Sequence, residues 1–207
     1  MFKDRKDSGQ KLARALEKYK DKNVLVLAIP RGGVEVGFEV ARFLNADFSI
    51  IVTRKLPFPD EPEAGFGAIA EDGSTFFVEH AKAYMTENQI NSIIYEQKQE
   101  IKRRIQVLRK GKPLPEIKNR TVILVDDGVA MGSTMRASVK LCRNRKASRI
   151  VVASPVSSMT FKNEIKKIVD EVVILETPVF FRAVAQVYEN WRDIGNEEVI
   201  EIMEKWK

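Results

Sequence analysis

TVILVDDGVAMGSTM, residues Thr121 to Met135, is the stretch on which the reading of this chain turns. Four apolar residues, Val122 to Val125, run into two adjacent aspartates, Asp126 and Asp127. A loop of small residues follows and ends in Ser133 and Thr134. A short continuous apolar run predicts a strand covered on both faces, the habit of parallel sheets. A small-residue loop entering a helix presents backbone N–H groups to one point, and the helix N-terminus adds positive potential. Together these predict a phosphate cradle. Gly128 and Gly132 let the backbone come close to a ligand, and Ser133 and Thr134 can donate hydroxyls. The loop is not a Walker A sequence, because the G-x-x-x-x-G-K-[ST] spacing and its lysine are absent. Two carboxylates at a strand end can take hydrogen bonds from a sugar diol or hold a hydrated Mg²⁺. A helix N-cap or a receiver-type acidic strand end is the plainer alternative.

The flanking sequence predicts strands and helices in alternation. Val24 to Ile29 and Phe48 to Thr53 read as strands before the quoted one, with Ile150 to Ala153 and Val172 to Leu175 after it. Ser8 to Tyr19 carries Leu12, Ala15, Leu16 and Tyr19 at helical spacing. Val34 to Leu44, Ser133 to Arg143, Phe161 to Val169 and a last segment from about Asn196 also read as helices. Thr86 and Gln89 form a capping box opening a long helix to about Arg109, with Ile90, Ile94, Ile101, Ile105 and Leu108 inward. Leu56 to Gly67, rich in Pro, Gly and acids, reads as a loop, and Ala68 to Val78 as a hairpin turning at Glu71-Asp72-Gly73. Alternation of this kind predicts an α/β fold with a parallel sheet and helices on both faces. Ligands of such sheets sit outside the carboxyl ends of the strands. PRGG (Pro30–Gly33), TRKL (Thr53–Leu56), the aspartate loop and ETPVFF (Glu176–Phe181) are expected to meet there.

Composition narrows the function. At 207 residues the chain is long enough for a single well-buried domain. It has 44% apolar residues and no run long enough to span a bilayer. The charged start, MFKDRKDSGQKLARAL, lacks a signal-peptide core, which points to the cytoplasm. The single cysteine, Cys142, excludes an internal disulfide, and the single histidine, His80, disfavours a His-rich metal site or a His-based triad. Cys142 is expected to be buried and His80 to lie on the surface. The net charge of +6, from 35 basic and 29 acidic residues, suits an anionic ligand. Nucleic acid is disfavoured, because acids are interspersed and no basic run alternates with aromatics. The densest basic cluster, Lys102, Arg103, Arg104, Arg109, Lys110 and Lys112, reads as a solvated face.

VILVDDGVAMGST resembles the phosphoribosyl-pyrophosphate (PRPP) motif of the type I phosphoribosyltransferases: four apolar residues, two acids, then a Thr-Gly-x-Thr type loop. The resemblance extends along most of the chain, and GAIAEDG and the VASPV strand are most similar to a bacterial branch with no assigned acceptor. It implies the type I phosphoribosyltransferase fold, a mostly parallel central sheet with helices on both sides. A core to about residue 176, a flexible lid at 56–67 and a hood at 177–207 are expected. The implied substrates are PRPP with Mg²⁺ and a small-molecule nitrogenous acceptor, with a homodimer compatible with the fold. Asp126 and Asp127 are implied to bind the ribose hydroxyls and any directly held Mg²⁺. Gly128, Val129, Ala130, Met131, Gly132, Ser133 and Thr134 would hold the 5′-phosphate. Arg31, Gly32 and Gly33 would bind pyrophosphate, Arg54 and Lys55 would contact PRPP, and Phe180 or Phe181 would meet the base. Two departures stand out. Met131 replaces the family's loop threonine, and the lid carries Asp60, Glu61 and Glu63 where orotate enzymes are basic. They motivate a second reading, a regulatory module that binds PRPP or nucleotide with little catalysis.

Overall fold

The computed structural model describes residues 1–206. The chain begins with α1 (Arg5–Ala15), β1 (Leu25–Ala28), α2 (Gly32–Leu44) and β2 (Asp47–Ile50). Next come β3 (Thr53–Pro57), β4 (Gly65–Ala70), β5 (Thr75–Phe77), a short α3 (Glu79–Lys82) and the long α4 (Glu87–Arg109). The remainder is β6 (Thr121–Val125), α5 (Ser133–Asn144), β7 (Arg149–Val156), α6 (Met159–Ile165), β8 (Glu171–Glu176) and α7 (Asn196–Lys205).

Five strands form a parallel sheet in the order β2-β1-β6-β7-β8, with β6 in the middle. That placement explains the apolar run. Ile123 and Val125 pack with Leu12, Val36 and Val40 of α1 and α2, while Val122 and Leu124 pack with Met135, Val139 and Phe161 of α5 and α6. Neither face of β6 meets water, so alternation is lost. Each such side chain contributes about 1.5–3 kcal/mol on burial. The chain leaves β1 toward β2 on one side and later enters β6 on the other, so the strand order reverses between β1 and β6. A crevice at the carboxyl ends of these two strands is where such sheets bind ligands.

Among the other three strands the expected hairpin over 68–78 is present as β4 and β5, while β3 differs from expectation. The second predicted strand, Phe48 to Thr53, is cut in two: β2 ends at Ile50, and Thr53 begins an antiparallel sheet, β3-β4-β5. TRKL therefore opens a strand instead of closing one. Leu56-Pro57 and Gly65-Gly67 belong to β3 and β4, so only residues 58–64 are loop, the tip of a hairpin. Local composition hides this, because Pro57 and the glycines sit at an irregular, outer part of the ladder where breakers are tolerated.

A buried ion pair fixes the step between the sheets. Glu71, in the β4–β5 turn, takes two bonds from Arg109, at 2.6 and 2.9 Å. It also accepts the Val52 N–H at 2.9 Å, while Arg109 donates to the Ile50 carbonyl at 3.0 Å. Both side chains are almost completely enclosed. The basic cluster is thus not a uniform solvated face: Arg109 is a core residue, and Arg103 and Arg104 both hold Glu100.

The capping box of Thr86 and Gln89 opens α4, whose Ile90, Ile93 and Ile101 pack on Val52, Leu56, Phe66 and Ile69. In α1 the inward face carries Leu12, Ala13 and Leu16, and Ala15 is exposed, because helix ends at Ala15 and a 3₁₀ turn follows. The tail beyond β8 is mostly irregular and is anchored to the first residues of the chain. Phe2 donates to the Val187 carbonyl at 2.7 Å and accepts from the Glu189 N–H at 2.8 Å.

Candidate functional site

Asp126 follows the last residue of β6, beside the carboxyl end of β1. The PRGG turn packs directly on the acids. A Cβ added at Gly32 would lie 1.8 Å from Asp127 Oδ2, and one at Gly33 would lie 2.9 Å from Asp126 Cα. No side chain fits at either position. The structure thus brings Arg31, Gly32 and Gly33 together with Asp126 and Asp127, as the spacing alone could not establish.

The two acids are not equivalent. Asp127 is paired with Arg5, whose Nε donates to Asp127 Oδ2 at 2.7 Å. Asp126 has no cation of its own: its Oδ1 accepts the Asp127 N–H at 2.9 Å. Burial, and then the neighbouring Asp127 charge, push the Asp126 carboxyl well above the usual carboxylate range. Among the described residues, Asp126 Oδ2 and Asp127 Oδ1 accept no bond from a backbone N–H or a cation, although the two carboxyls lie within hydrogen-bond reach of each other.

The loop after the acids is held from behind. Val129 is buried; its N–H donates to the Val156 carbonyl at 2.9 Å, and its carbonyl accepts from Ser158 N–H at 3.0 Å. The Ala130 carbonyl accepts from Ser158 Oγ at 2.7 Å, and the Met131 carbonyl accepts from Arg136. In a planar trans peptide the following N–H points the opposite way. The N–H groups of Ala130, Met131 and Gly132 are therefore turned to the other side of the loop. They and the N–H groups of Ser133 and Thr134 have no protein acceptor among the described residues. Gly132, at φ +74°, leads into α5 without a side-chain cap. Such a row of free N–H groups at a helix start is an anion nest.

At Met131 the departure concerns the side chain and leaves the backbone N–H without a protein acceptor among the described residues. Its side chain is 69% exposed, while its N–H lies in the row. Val129 takes no part in that row, because its own N–H is committed. Gly128 is needed for a close approach, since a Cβ there would lie 2.3 Å from Val184. Gly132→Ala would force a left-handed alanine, costing about 1–2 kcal/mol, and would drive its methyl to 2.3 Å from the Phe161 ring. We expect urea denaturation of that variant to show a stability loss of at least about 1–2 kcal/mol.

Arg54 and Lys55 separate, because successive strand residues point to opposite faces. Arg54 donates to Gln97 at 3.0 Å on the α4 side. Burial lowers its guanidinium pKa, and the positive charges of Arg104, Arg103 and Arg31 lower it further. Glu100, which Arg103 and Arg104 both hold, opposes that lowering, so the cluster is partly neutralised. Lys55 instead donates to the Glu63 carbonyl at the hairpin tip.

In the tail, Phe180 is 81% exposed. Phe181 is half-buried and lines a cavity of about 590 Å³ with Phe77, Met131, Arg136 and Phe161. The exposed His80 borders the same cavity. Cys142 is buried, its thiol pushed up to about 12 by desolvation, which leaves it inert. Sequence reasoning missed Arg5, Tyr188 and Arg136 as neighbours of the site. Arg5 and Asp127 are 122 positions apart, and no local pattern marks such a pair.

No helix among the described residues is long and apolar enough to cross a membrane, and no group of three or more His, Cys, Asp or Glu side chains there could hold a metal. Residues 3–189 match the family model described as the phosphoribosyl transferase domain. A relative from Mycobacterium tuberculosis that carries a provisional phosphoribosyl transferase name is 35% identical over 207 residues. The alignment covers 99% of this chain and 47% of that protein, so the chain spans about half the length of the curated relatives it matches. The crystal structure of TT1426 from Thermus thermophilus superposes with a TM-score of 0.84 at 34% identity, covering 99% of this chain and 98% of that one. The AQ2163 protein of Aquifex aeolicus shares the fold at TM-score 0.51 and 11% identity, over 83% and 72% of the two chains. With a strand-end acid pair, an N–H-lined loop and a family model spanning residues 3–189, the chain belongs to the phosphoribosyl transferase domain family.

Proposed function

We propose that the chain binds PRPP and transfers its 5-phosphoribosyl group to a nitrogenous acceptor, releasing pyrophosphate. One observation carries the reading: PRGG and the acid pair pack against each other beside a row of unpartnered N–H groups. In this reading Asp126 Oδ2 and Asp127 Oδ1 accept the ribose 2′ and 3′ hydroxyls. The N–H groups from Ala130 to Thr134, with the Ser133 and Thr134 hydroxyls, hold the 5′-phosphate, and Gly128 and Val129 shape that loop. Arg31, Gly32 and Gly33 take the pyrophosphate, and Arg54 adds positive charge. Lys55 joins them only when the hairpin tip, the proposed lid, releases it from Glu63.

As the bond from ribose C1 to pyrophosphate breaks, positive charge develops on the sugar and negative charge on the leaving group. The acids favour the first and the arginines the second, so stabilisation of charge carries the rate. The acceptor nitrogen then forms the new bond to C1 and loses its proton. Mg²⁺ fits as an ion held mainly by PRPP and water, since among the described residues no group of three or more ligand side chains stands beside the two adjacent carboxylates; when bound it would supply neutralisation of the pyrophosphate. Phe181 and its aromatic neighbours suit a planar acceptor under the proposed hood of residues 177–207. Phe180, on the surface, does not border that cavity.

The acidic hairpin tip, with Asp60, Glu61 and Glu63, favours a second reading, a regulatory module. Calorimetry with PRPP and Mg²⁺, followed by pyrophosphate release across a panel of bases, separates the two. We expect binding in both cases and release with at least one base if the chain is a transferase. Absence of PRPP binding would overturn the transferase reading, and absence of binding to both PRPP and nucleotides would overturn the regulatory one too.

A further inference from the structure

Resting on the sugar-binding role proposed for Asp127, we infer that Arg5 is a positioning residue that sets this carboxylate and ties the first turn of α1 and tail residues 188–192 to the site. Arg5 is 5% exposed, and two groups besides Asp127 define its place. Its Nη1 donates to the Arg192 carbonyl at 2.7 Å, and its guanidinium lies 3.9 Å from the centre of the Trp191 ring. Tyr188 closes the arrangement: its hydroxyl donates to the Asp127 carbonyl at 2.7 Å and lies 3.2 Å from Ser8 Oγ. The first turn of α1 and tail residues 188–192 therefore meet at one acid.

The geometry has a direct consequence for the ligand. With Gly32 on one side and Arg5 Nε on the other, Asp127 Oδ2 is committed. The carboxylate can rotate only by breaking a charge-assisted bond, so Oδ1 is presented in one direction. Arg5 does not have to touch the sugar to matter, because fixed orientation of a binding group lowers the cost of binding. Lysine cannot replace it well, since the fork reaches Asp127 and Arg192 at once while a lysine offers a single point charge. Trp191 is the platform that holds the fork flat.

The test is a double-mutant cycle on Arg5→Gln and Asp127→Asn, with Arg5→Lys and Trp191→Leu as companions. Calorimetry reads the Kd of PRPP with Mg²⁺, and ligand-free thermal unfolding reads stability. We expect Arg5→Gln to weaken PRPP binding about tenfold, Arg5→Lys to restore part of it, and Trp191→Leu to act in the same direction more weakly. In the double variant the loss should equal that of Asp127→Asn alone, because Arg5 acts only through that carboxylate. Losses that multiply, or wild-type affinity in Arg5→Gln, would overturn the inference. Wild-type protein that fails to bind PRPP would sink the sugar-binding role instead. The Arg5–Asp127 clamp would then stand on non-additive unfolding temperatures, and additive ones would overturn it too.

Discussion

Glu71→Ala is expected to cost about 3–5 kcal/mol of stability, among the largest effects of any single substitution in this chain. The change strands the Arg109 guanidinium in the interior with no carboxylate, and leaves the Val52 N–H without its acceptor. Removing one member of a buried pair is costly because the partner's charge can no longer be solvated. The pair spans the step from β2 to β3, the strand that carries Arg54. Thermal unfolding followed by circular dichroism should show a fall of about 6–20 °C for a chain of this size. A conservative Glu71→Gln keeps one acceptor and should fall between Glu71→Ala and the wild type. A change below about 1 kcal/mol would mean that the Arg109 end is wetter than its enclosure indicates.

Asp126→Asn and Asp127→Ala should move stability in opposite directions although the residues are adjacent. The Asp126 carboxyl has its pKa raised by folding, so its contribution to stability is fully present below the unfolded value of about 3.8 and is lost as pH rises through the folded value. At neutral pH the charged form therefore works against the fold. Asparagine removes that charge and should raise the melting point, on the order of 1 kcal/mol or about 2–4 °C. The gain over wild type should be present at pH 7 and shrink as the pH falls toward 4. Asp127→Ala leaves Arg5 buried without a counter-ion and should lose about 3–5 kcal/mol. Both variants should lose most PRPP binding if the acids hold the sugar. A melting point lowered by Asp126→Asn would show that this carboxylate has a partner that stabilises its charge. Retained PRPP affinity in both variants would remove the acids from the site.

Much of the fold is legible in the sequence because periodicity reports burial. Val122 to Val125, a short apolar run ended by two acids and a glycine loop, fits a strand covered on both faces, and the capping box at Thr86 marks where α4 begins. Departures cluster where a distant contact overrides local chemistry. Local pattern joins Thr53 to the preceding strand because nothing nearby in sequence announces that Glu71 and Arg109 pin Ile50 and Val52. Pro57 and the glycines of the hairpin suggest loop, yet pairing between Leu56 and Gly67 makes strand there.

The candidate site divides in the same way. The sequence by itself determined the acid pair, the small-residue loop and PRGG, because a strand end and a helix start must be next to each other in the chain to present carboxylates and N–H groups together. Tertiary structure alone decided that PRGG lies on the acids, that Lys55 turns away from Arg54, and that the Met131 side chain is exposed at the rim of a cavity while its N–H has no protein acceptor among the described residues. It alone decided that Arg5 compensates one aspartate and leaves the other uncompensated. Sequence patterns record which groups a segment needs for its own burial and turns. Charge pairing and backbone direction depend on which segments the sheet order brings side by side.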